Sequence, residues 1–333
     1  MKKYNFAVVG ATGLVGRTFL KVLEEYNLPI NELRLFASEK SEGKTLTFKG
    51  KDYVVHALKE GCFVGIDFAL FSAGAGVSKV WSPIAAKEGA LVVDNSSCWR
   101  MDDNCALIVP EINLDDYKNH SRIIANPNCS TIQSVLPLKA IDEAFNLKRI
   151  VFTTYQACSG SGKKGLDDLE RCEKGEDNQY YPYNIAKTCI PEIDEFLDNG
   201  YTKEEMKMVN ETHKILHHPE IKISATCVRV PVAKSHAVSI MCECEKDCSD
   251  LNKVREIIRN YPGIKLVDDP KNHQYPVSTM ANDNDFVYVG RIRKDLSCDN
   301  GLLLYCVGDN VRKGAASNAV QIVREIIKEK DHE

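Results

Sequence analysis

Long apolar runs are missing from these 333 residues: the longest clearly apolar stretches are about eight residues, well short of the roughly 20 that a membrane-spanning helix needs. A basic excess is missing too. Lys and Arg number 43 against 47 Asp and Glu, a net charge of −4 with both signs interspersed, which argues against a general nucleic-acid or membrane-surface binder. The opening Met1-Lys2-Lys3-Tyr4-Asn5-Phe6 passes straight into a strand pattern and lacks the layout of an export or transit signal, so a cytoplasmic location is expected. No internal repeat and no low-complexity linker is found. Disordered, fibrous and helical membrane classes are therefore excluded.

What remains is ordinary globular composition, 44% apolar and 27% charged, in a length that suits two domains or one large α/β unit. The 13 cysteines are an odd number, which with no export signal points to a reducing compartment rather than a disulfide framework. Cys242, Cys244 and Cys248 form the one tight cluster, but C-x-C-x-x-x-C lacks the paired C-x-x-C knuckles of a structural zinc site. Residues 236–244 alternate as a strand does, with Cys242 and Cys244 on one face. No metal is expected, and most of these thiols read as small buried hydrophobes.

Residues 4–9 are an apolar run ending at Gly10; Gly13 and Gly16 follow, and residues 14–25 carry helical periodicity. Strand, glycine turn and helix in that order predict a dinucleotide site, where glycines admit the pyrophosphate and a helix N-terminus receives it. Further strands are expected at 33–37, 66–71, 90–94 and 122–125, with a helix over 78–88, as in a parallel sheet covered on both faces. After about residue 148 the texture changes to more alternating strands, at 149–156, 222–230, 236–244, 286–293 and 301–307. Residues 170–220 are polar and poorly periodic, and 315–330 form an amphipathic helix. After strand 33–37 come Ser38, Glu39, Lys40 and Ser41. Ser38, Lys40 and Ser41 suit the 2′-phosphate of NADP, while Glu39 would oppose it if turned inward.

The sharpest local feature is Asn126-Pro127-Asn128-Cys129-Ser130-Thr131, between a strand and an apolar helical pattern. A cysteine at a helix N-terminus is favoured as thiolate, although a buried cysteine beside an Asn/Ser cap is the commoner reading of these residues taken alone. Tyr155-Gln156-Ala157-Cys158-Ser159-Gly160-Ser161-Gly162 and Val228-Arg229-Val230-Pro231, with His236 just beyond, add an arginine fork suited to a carboxylate and an acid/base group. Taken together they describe a thiol-dependent aldehyde dehydrogenase.

On these segments the chain resembles the aspartate-β-semialdehyde dehydrogenase family. GATGLVG at 10–16, NSSCWRM at 95–101, NPNCST at 126–131, YQACSGSG at 155–162, ETHK at 211–214, ATCVRVP at 225–231 and DNVRKGAASNAVQI at 309–322 match it in order. N-acetylglutamyl-phosphate reductase shares the fold and thiol chemistry but differs around its cysteine. The resemblance implies an N-terminal Rossmann-type domain, residues 1–128, completed by a C-terminal helix at 310–330. A mixed α+β catalytic and dimerisation domain, 129–309, would follow. It implies interconversion of aspartate semialdehyde and aspartyl phosphate, with NADP and inorganic phosphate, on the route to lysine, threonine and methionine.

The same resemblance assigns roles. Cys129 would be the nucleophile, His236 the acid/base group that activates the thiol, Gln156 the residue orienting the intermediate, and Asn128 a shaper of the pocket. Arg229 would hold the substrate carboxylate, Glu211 its ammonium, and Arg100 with Lys214 the phosphate. Gly10, Thr12, Gly13, Leu14, Val15, Ser38, Lys40, Ser41, Ser159, Gly160 and Asn310 would line the cofactor. A homodimer or a pair of dimers is implied, with 170–220 as interface. Three departures stand out: Ser235 where the family more often has Gly, within Ser235-His236-Ala237-Val238-Ser239 that also lacks a nearby Glu; Lys40 in place of Arg; and Cys158 in place of a small aliphatic. Two other readings compete. Tyr183 and Lys187 have the Y-x-x-x-K spacing of a short-chain dehydrogenase, and a non-catalytic NADP-binding protein would keep the glycine turn alone.

Overall fold

The computed structural model describes residues 2–332. The chain divides into two compact units, one running up to Pro127 and resuming at Ala315, the other spanning Asn128–Gly314.

In the first unit the chain forms β1 (Tyr4–Val9), α1 (Leu14–Glu25), β2 (Ile30–Ala37), β3 (Thr45–Phe48), β4 (Lys51–Ala57), β5 (Phe68–Phe71), α2 (Ala75–Lys87), β6 (Leu91–Asp94), β7 (Ala106–Leu107), α3 (Pro110–Asn113) and β8 (Ile123–Ala125). The sheet order is β3-β4-β2-β1-β5-β6-β8-β7, parallel throughout except for the β3–β4 hairpin. Val8 pairs with Leu35 on one side and Leu70 on the other. The strand order therefore reverses beside β1, which is where open α/β sheets place their ligands. Strand alternation explains the two cores. Phe6 and Val8 face one layer, together with Ala319, Val323 and Ile326 of the C-terminal helix; Ala7 and Val9 face the other, with Phe63 and Phe71. Each such fully buried large side chain is worth roughly 1.5–3 kcal/mol over an exposed one. The β3–β4 hairpin was not foreseen; it turns at Lys49 and Gly50, both at positive φ.

The second unit comprises α4 (Cys129–Phe145), β9 (Leu147–Gln156), α5 (Gly162–Glu173), α6 (Lys203–Leu216), β10 (Lys222–Arg229), β11 (His236–Cys244), α7 (Leu251–Asn260), β12 (Ile264–Leu266), α8 (Ser278–Ala281), β13 (Val287–Lys294) and β14 (Gly301–Gly308). Its mixed sheet is ordered β10-β9-β11-β14-β13-β12. Along β11 the even-numbered residues are buried, while the odd-numbered ones from Ser239 on are half-exposed. One face is therefore covered and the other open, as the alternation predicts. Cys242 and Cys244 share the covered face. Helix α4, apolar nearly all round, is the buried helix against this sheet.

Two expectations are corrected. The region 170–220 contains a regular 14-residue helix, α6, opened by a capping box in which the Thr202 hydroxyl accepts from the Glu205 N–H and the Glu205 carboxylate accepts from Thr202 N–H. Its sequence is so polar because it buries carboxylates rather than a broad apolar stripe. The helix expected over 310–330 begins as a π-helical turn at Arg312–Ala316 and becomes regular only at Ser317, so Asn310 lies in the preceding loop. At Gly314 a Cβ would come within 2.9 Å of the Cys129 Cβ, which accounts for a glycine in that turn.

Candidate active site

Cys129 is the first residue of α4 and half-exposed. Asn128 is its N-cap: the Oδ1 accepts from Ser130 N at 2.9 Å and Thr131 N at 3.2 Å, satisfying two of the N–H groups that a helix start leaves unpaired. The helix end, with its partial positive charge, favours an anion at this position. The Asn128 backbone N–H donates to Glu211 Oε2 at 2.6 Å, and its side-chain Nδ2 donates to Glu204 Oε1 at 2.8 Å.

Gln156, at the end of β9, meets the same oxygen: its Nε2 donates to Glu204 Oε1 at 3.1 Å and to Thr154 Oγ1 at 3.3 Å. The next residue, Ala157, continues the network. Its N–H donates to His236 Nδ1 at 2.9 Å, and its carbonyl accepts from Arg229 Nη1 at 2.7 Å. His236 is fully buried, and this burial, followed by the nearby Arg229 charge, holds its pKa well below the usual imidazole value. It is therefore neutral. With Nδ1 accepting a hydrogen bond, the ring proton sits on Nε2, a buried atom with no partner among the described residues. Taking the thiol proton at Nε2, the role implied by the resemblance, would require the other tautomer, whose Nδ1–H would face the Ala157 N–H. The geometry makes Nε2 a donor. Gly160 explains its own identity here: a Cβ would lie 2.8 Å from Arg229 Nη1 and 3.1 Å from His236 Nε2.

Ser235 has φ +68°, the left-handed region in which glycine is comfortable, which is why the family's Gly at this point has a structural reason. Here the serine is held by its N–H donating to Asn310 Oδ1 at 3.0 Å and its hydroxyl donating to Asn282 Oδ1 at 2.7 Å. Asn310 also exchanges hydrogen bonds with the Ser159 hydroxyl at 2.9–3.0 Å, so its amide joins the loops carrying Ser159, Gly160 and His236. Cys158 is wholly buried, its Sγ donates to Val230 O at 3.6 Å, and burial pushes its pKa up. It is a protonated packing thiol.

Helix α6 supplies Glu211, 1% exposed, and the half-exposed Lys214. It also supplies two residues that sequence reasoning missed, Glu204 and Lys207; the only sequence signal was the Thr202-x-x-Glu205 capping pattern that marks where the helix starts. Tyr183 is 65% exposed and Tyr183–Lys187 is not helical. The short-chain-dehydrogenase reading therefore loses the structural context its spacing needs.

In the first unit a cleft of about 530 Å³ opens at the strand ends, lined by Val9, Gly10, Thr12, Gly13, Ser38 and Glu39 among others. Gly10 has φ +85°, and a Cβ there would lie 2.3 Å from Ser72 O; one at Gly16 would lie 2.1 Å from Gly10 O. Both positions accept only glycine, and they let α1 start against the end of β1. Leu14 and Val15 open α1, whose N-cap Gly13 has no side-chain cap, so its first N–H groups are free to meet an anion. Glu39 lines the cleft together with Ser38, whereas Lys40 and the buried Ser41 are not among its walls. Arg100 lies in this unit, buried, with Nη2 donating to Asn95 O at 2.9 Å.

Comparison with known proteins agrees with both halves of this picture. Residues 5–120 match the family model "Semialdehyde dehydrogenase, NAD binding domain" and residues 138–313 match "Semialdehyde dehydrogenase, dimerisation domain". The chain is 54% identical over 98% of both sequences to the aspartate-semialdehyde dehydrogenase of Aquifex aeolicus. Among solved structures, aspartate semialdehyde dehydrogenase II of Vibrio cholerae complexed with ASA is 44% identical, with a TM-score of 0.94 over 98% of this chain and 99% of that one. Aspartate semialdehyde dehydrogenase of Candida albicans with NADP is 26% identical, with a TM-score of 0.79 over 99% of each. With its nicotinamide-dinucleotide domain, its cysteine-headed helix and these likenesses along its whole length, the chain belongs to the aspartate-semialdehyde dehydrogenase family.

Proposed function

We propose that this chain catalyses the NADP- and phosphate-dependent interconversion of L-aspartate 4-semialdehyde and 4-phospho-L-aspartate through a thioester on Cys129. In the cell it would act in lysine, threonine and methionine biosynthesis, as a cytoplasmic homodimer or pair of dimers. The observation that carries this reading is one hydrogen-bonded network in the second unit. It ties the cap of the Cys129 helix, through Glu204, to Gln156, and Ala157 next to Gln156 to both His236 and Arg229.

The residues then divide the work. Cys129, at the positive end of α4, attacks the aldehyde carbon as thiolate. His236 donates from Nε2 to the oxygen on which charge develops, an interaction strengthened by its dry surroundings. When bound, the nicotinamide supplies the acceptor for the hydride leaving that carbon, or its donor in the biosynthetic direction. Phosphate then cleaves the Cys129 thioester, with Arg100 and Lys214 as its cations. The buried Arg229, whose Nε has no partner among the described residues, receives the substrate carboxylate, and Glu211 is the counter-charge for the ammonium. For the cofactor, the bare N-terminus of α1 and the glycines at its entrance fit a pyrophosphate. Thr12, Ser159, Gly160 and Asn310 are further contacts. NADP rather than NAD is supported by Ser38 in the cleft, by Lys40 and Ser41 next in the sequence, and by NADP in the Candida albicans relative, with Glu39 in the cleft wall opposing it.

The test is Cys129→Ser. It should abolish phosphate-dependent NADP reduction with aspartate semialdehyde, followed at the nicotinamide absorbance, while NADP still binds. Turnover retained by this variant would refute the thioester mechanism, and silence of the clean, reduced wild-type protein would favour the non-catalytic reading.

A further inference from the structure

Glu204 stands out among the buried charges because no role above uses it. The residue is 5% exposed, yet three hydrogen-bond donors are arranged around its carboxylate. Oε1 accepts from Asn128 Nδ2 at 2.8 Å and from Gln156 Nε2 at 3.1 Å. Oε2 accepts from Lys207 Nζ at 3.1 Å, and Lys207 in turn donates to Asp194 Oδ2 at 2.7 Å. A lone carboxylate buried this deeply would neutralise itself. Burial does work against the charge, but Lys207 first, and then the Asn128, Gln156 and Lys207 hydrogen bonds, outweigh it and keep the pKa below the usual carboxylate value.

An ionised carboxylate only accepts hydrogen bonds, so it dictates which way its two amide neighbours face. Turning the Gln156 amide over would set its carbonyl oxygen against Glu204 Oε1. With Nε2 committed to Glu204 and Thr154, the polar atom that Gln156 retains is its Oε1, an acceptor. The same logic applies at Asn128: its Nδ2 on Glu204 leaves Oδ1 for the N–H groups of Ser130 and Thr131. One oxygen thus fixes both the cap of the nucleophile's helix and the polarity of Gln156.

We propose that Glu204 is a positioning residue of this enzyme: held by Lys207 and Asp194, it locks the side chains of Gln156 and Asn128 in the orientation that the chemistry at Cys129 requires. This inference rests on the proposed function above. Glu204 touches no substrate in it and acts through Gln156 and Asn128.

The test is a double-mutant cycle on the full-length enzyme. Glu204→Gln keeps the shape, leaves Lys207 paired with Asp194, and lets the residue at 204 donate as well as accept. It should lower kcat roughly 10–100-fold, the scale of a small misplacement of reacting groups, with the KM for NADP unchanged. Placed on Gln156→Ala, Glu204→Gln should cost less than a third of its single-variant fold-loss in kcat, because the group it orients is gone. Losses that multiply in full would overturn the proposal and leave Glu204 merely structural. Cys129→Ser run alongside separates the two questions: an inactive Cys129→Ser with multiplying losses sinks the Glu204 role alone, whereas an active one sinks the thioester reading itself.

Should Glu204→Gln not accumulate as folded protein, Lys207→Gln applies the same test from the other side. The titratable groups around Glu204 are then Asp194, Glu211 across Asn128 and the protonated Cys227 thiol of β10, and among the described residues no cation is left in contact with it to hold it ionised. Its pKa rises, and activity should be lost as pH falls, along an acid limb that wild type lacks. An unchanged kcat–pH profile would overturn the proposal.

Discussion

Asn128 makes two separable contributions, and substitutions there measure them. Its Oδ1 caps α4 through Ser130 N and Thr131 N, and its Nδ2 gives the buried Glu204 a donor. Asn128→Ala removes both. Losing such a cap costs about 1 kcal/mol, and leaving a buried carboxylate short of one donor costs about 1–3 kcal/mol. The expected loss is therefore roughly 2–4 kcal/mol. In a unit of just under 200 residues each kcal/mol moves Tm by about 2–4 °C, so calorimetry should show a drop of about 5–15 °C. Asn128→Ser keeps an oxygen able to cap but has no reach to Glu204, and should recover about 1 kcal/mol of the loss. The reasoning fails if Asn128→Ala melts within 2 °C of wild type, or if Ser is no better than Ala.

Gly160→Ala would push its Cβ against Arg229 Nη1 and His236 Nε2; kcat/KM should fall about 100-fold with the far-UV spectrum unchanged, and a loss under threefold would contradict the close approach. His236 is neutral when folded well below the value near 6.5 at which it titrates unfolded, so below that pH the unfolded chain binds the extra proton and stability falls as pH drops. Denaturant titrations of His236→Gln between pH 6.5 and 5 should show a slope shallower by up to about 1.4 kcal/mol per pH unit, and identical slopes would mean the imidazole charges freely in the fold. Glu39 lines the cofactor cleft, so Glu39→Gln should tighten NADP relative to NAD by roughly 3–10-fold in Kd; an unchanged ratio would place the 2′-phosphate elsewhere. Ser235→Ala should be less stable than Ser235→Gly by about 1 kcal/mol, the cost of a side chain in the left-handed region, and equal denaturant midpoints would count against strain at that φ.

The parts of this molecule legible in its sequence are those that local chemistry decides. Gly10 and Gly16 between an apolar strand and a periodic helix left few alternatives to β1, its turn and α1, and the alternation of 236–244 returned β11 residue for residue. The same patterns gave a doubly covered parallel sheet followed in the chain by more alternating strands, and the resemblance turned these into a Rossmann-type unit and a mixed α+β unit. The β3–β4 hairpin escaped because Lys49-Gly50 is not the Asn-Gly or Asp-Gly pair that announces such a turn. Helix α6 escaped for a different reason: its buried positions include Glu204, Glu205 and Glu211, and carboxylates read as solvent-facing until their partners are known.

Those partners come from far along the chain. Asn128 lies 76 residues from Glu204 and Gln156 lies 48 away. Sequence pattern names Cys129, Gln156 and His236 because each sits at one end of a strand or helix, where side chains are free to converge. What makes them a site is the wiring between those ends. His236 is held in one tautomer by the N–H of Ala157, the residue after the Gln156 that Glu204 orients, and the loop carrying it passes through a strained Ser235 that Asn310 and Asn282 pin in place. A change in any of these supports should alter the reaction while leaving every residue of the family motif intact. Variation in activity among chains that share NPNCST should therefore be sought in α6 and in the Ser235 loop before it is sought in the motif.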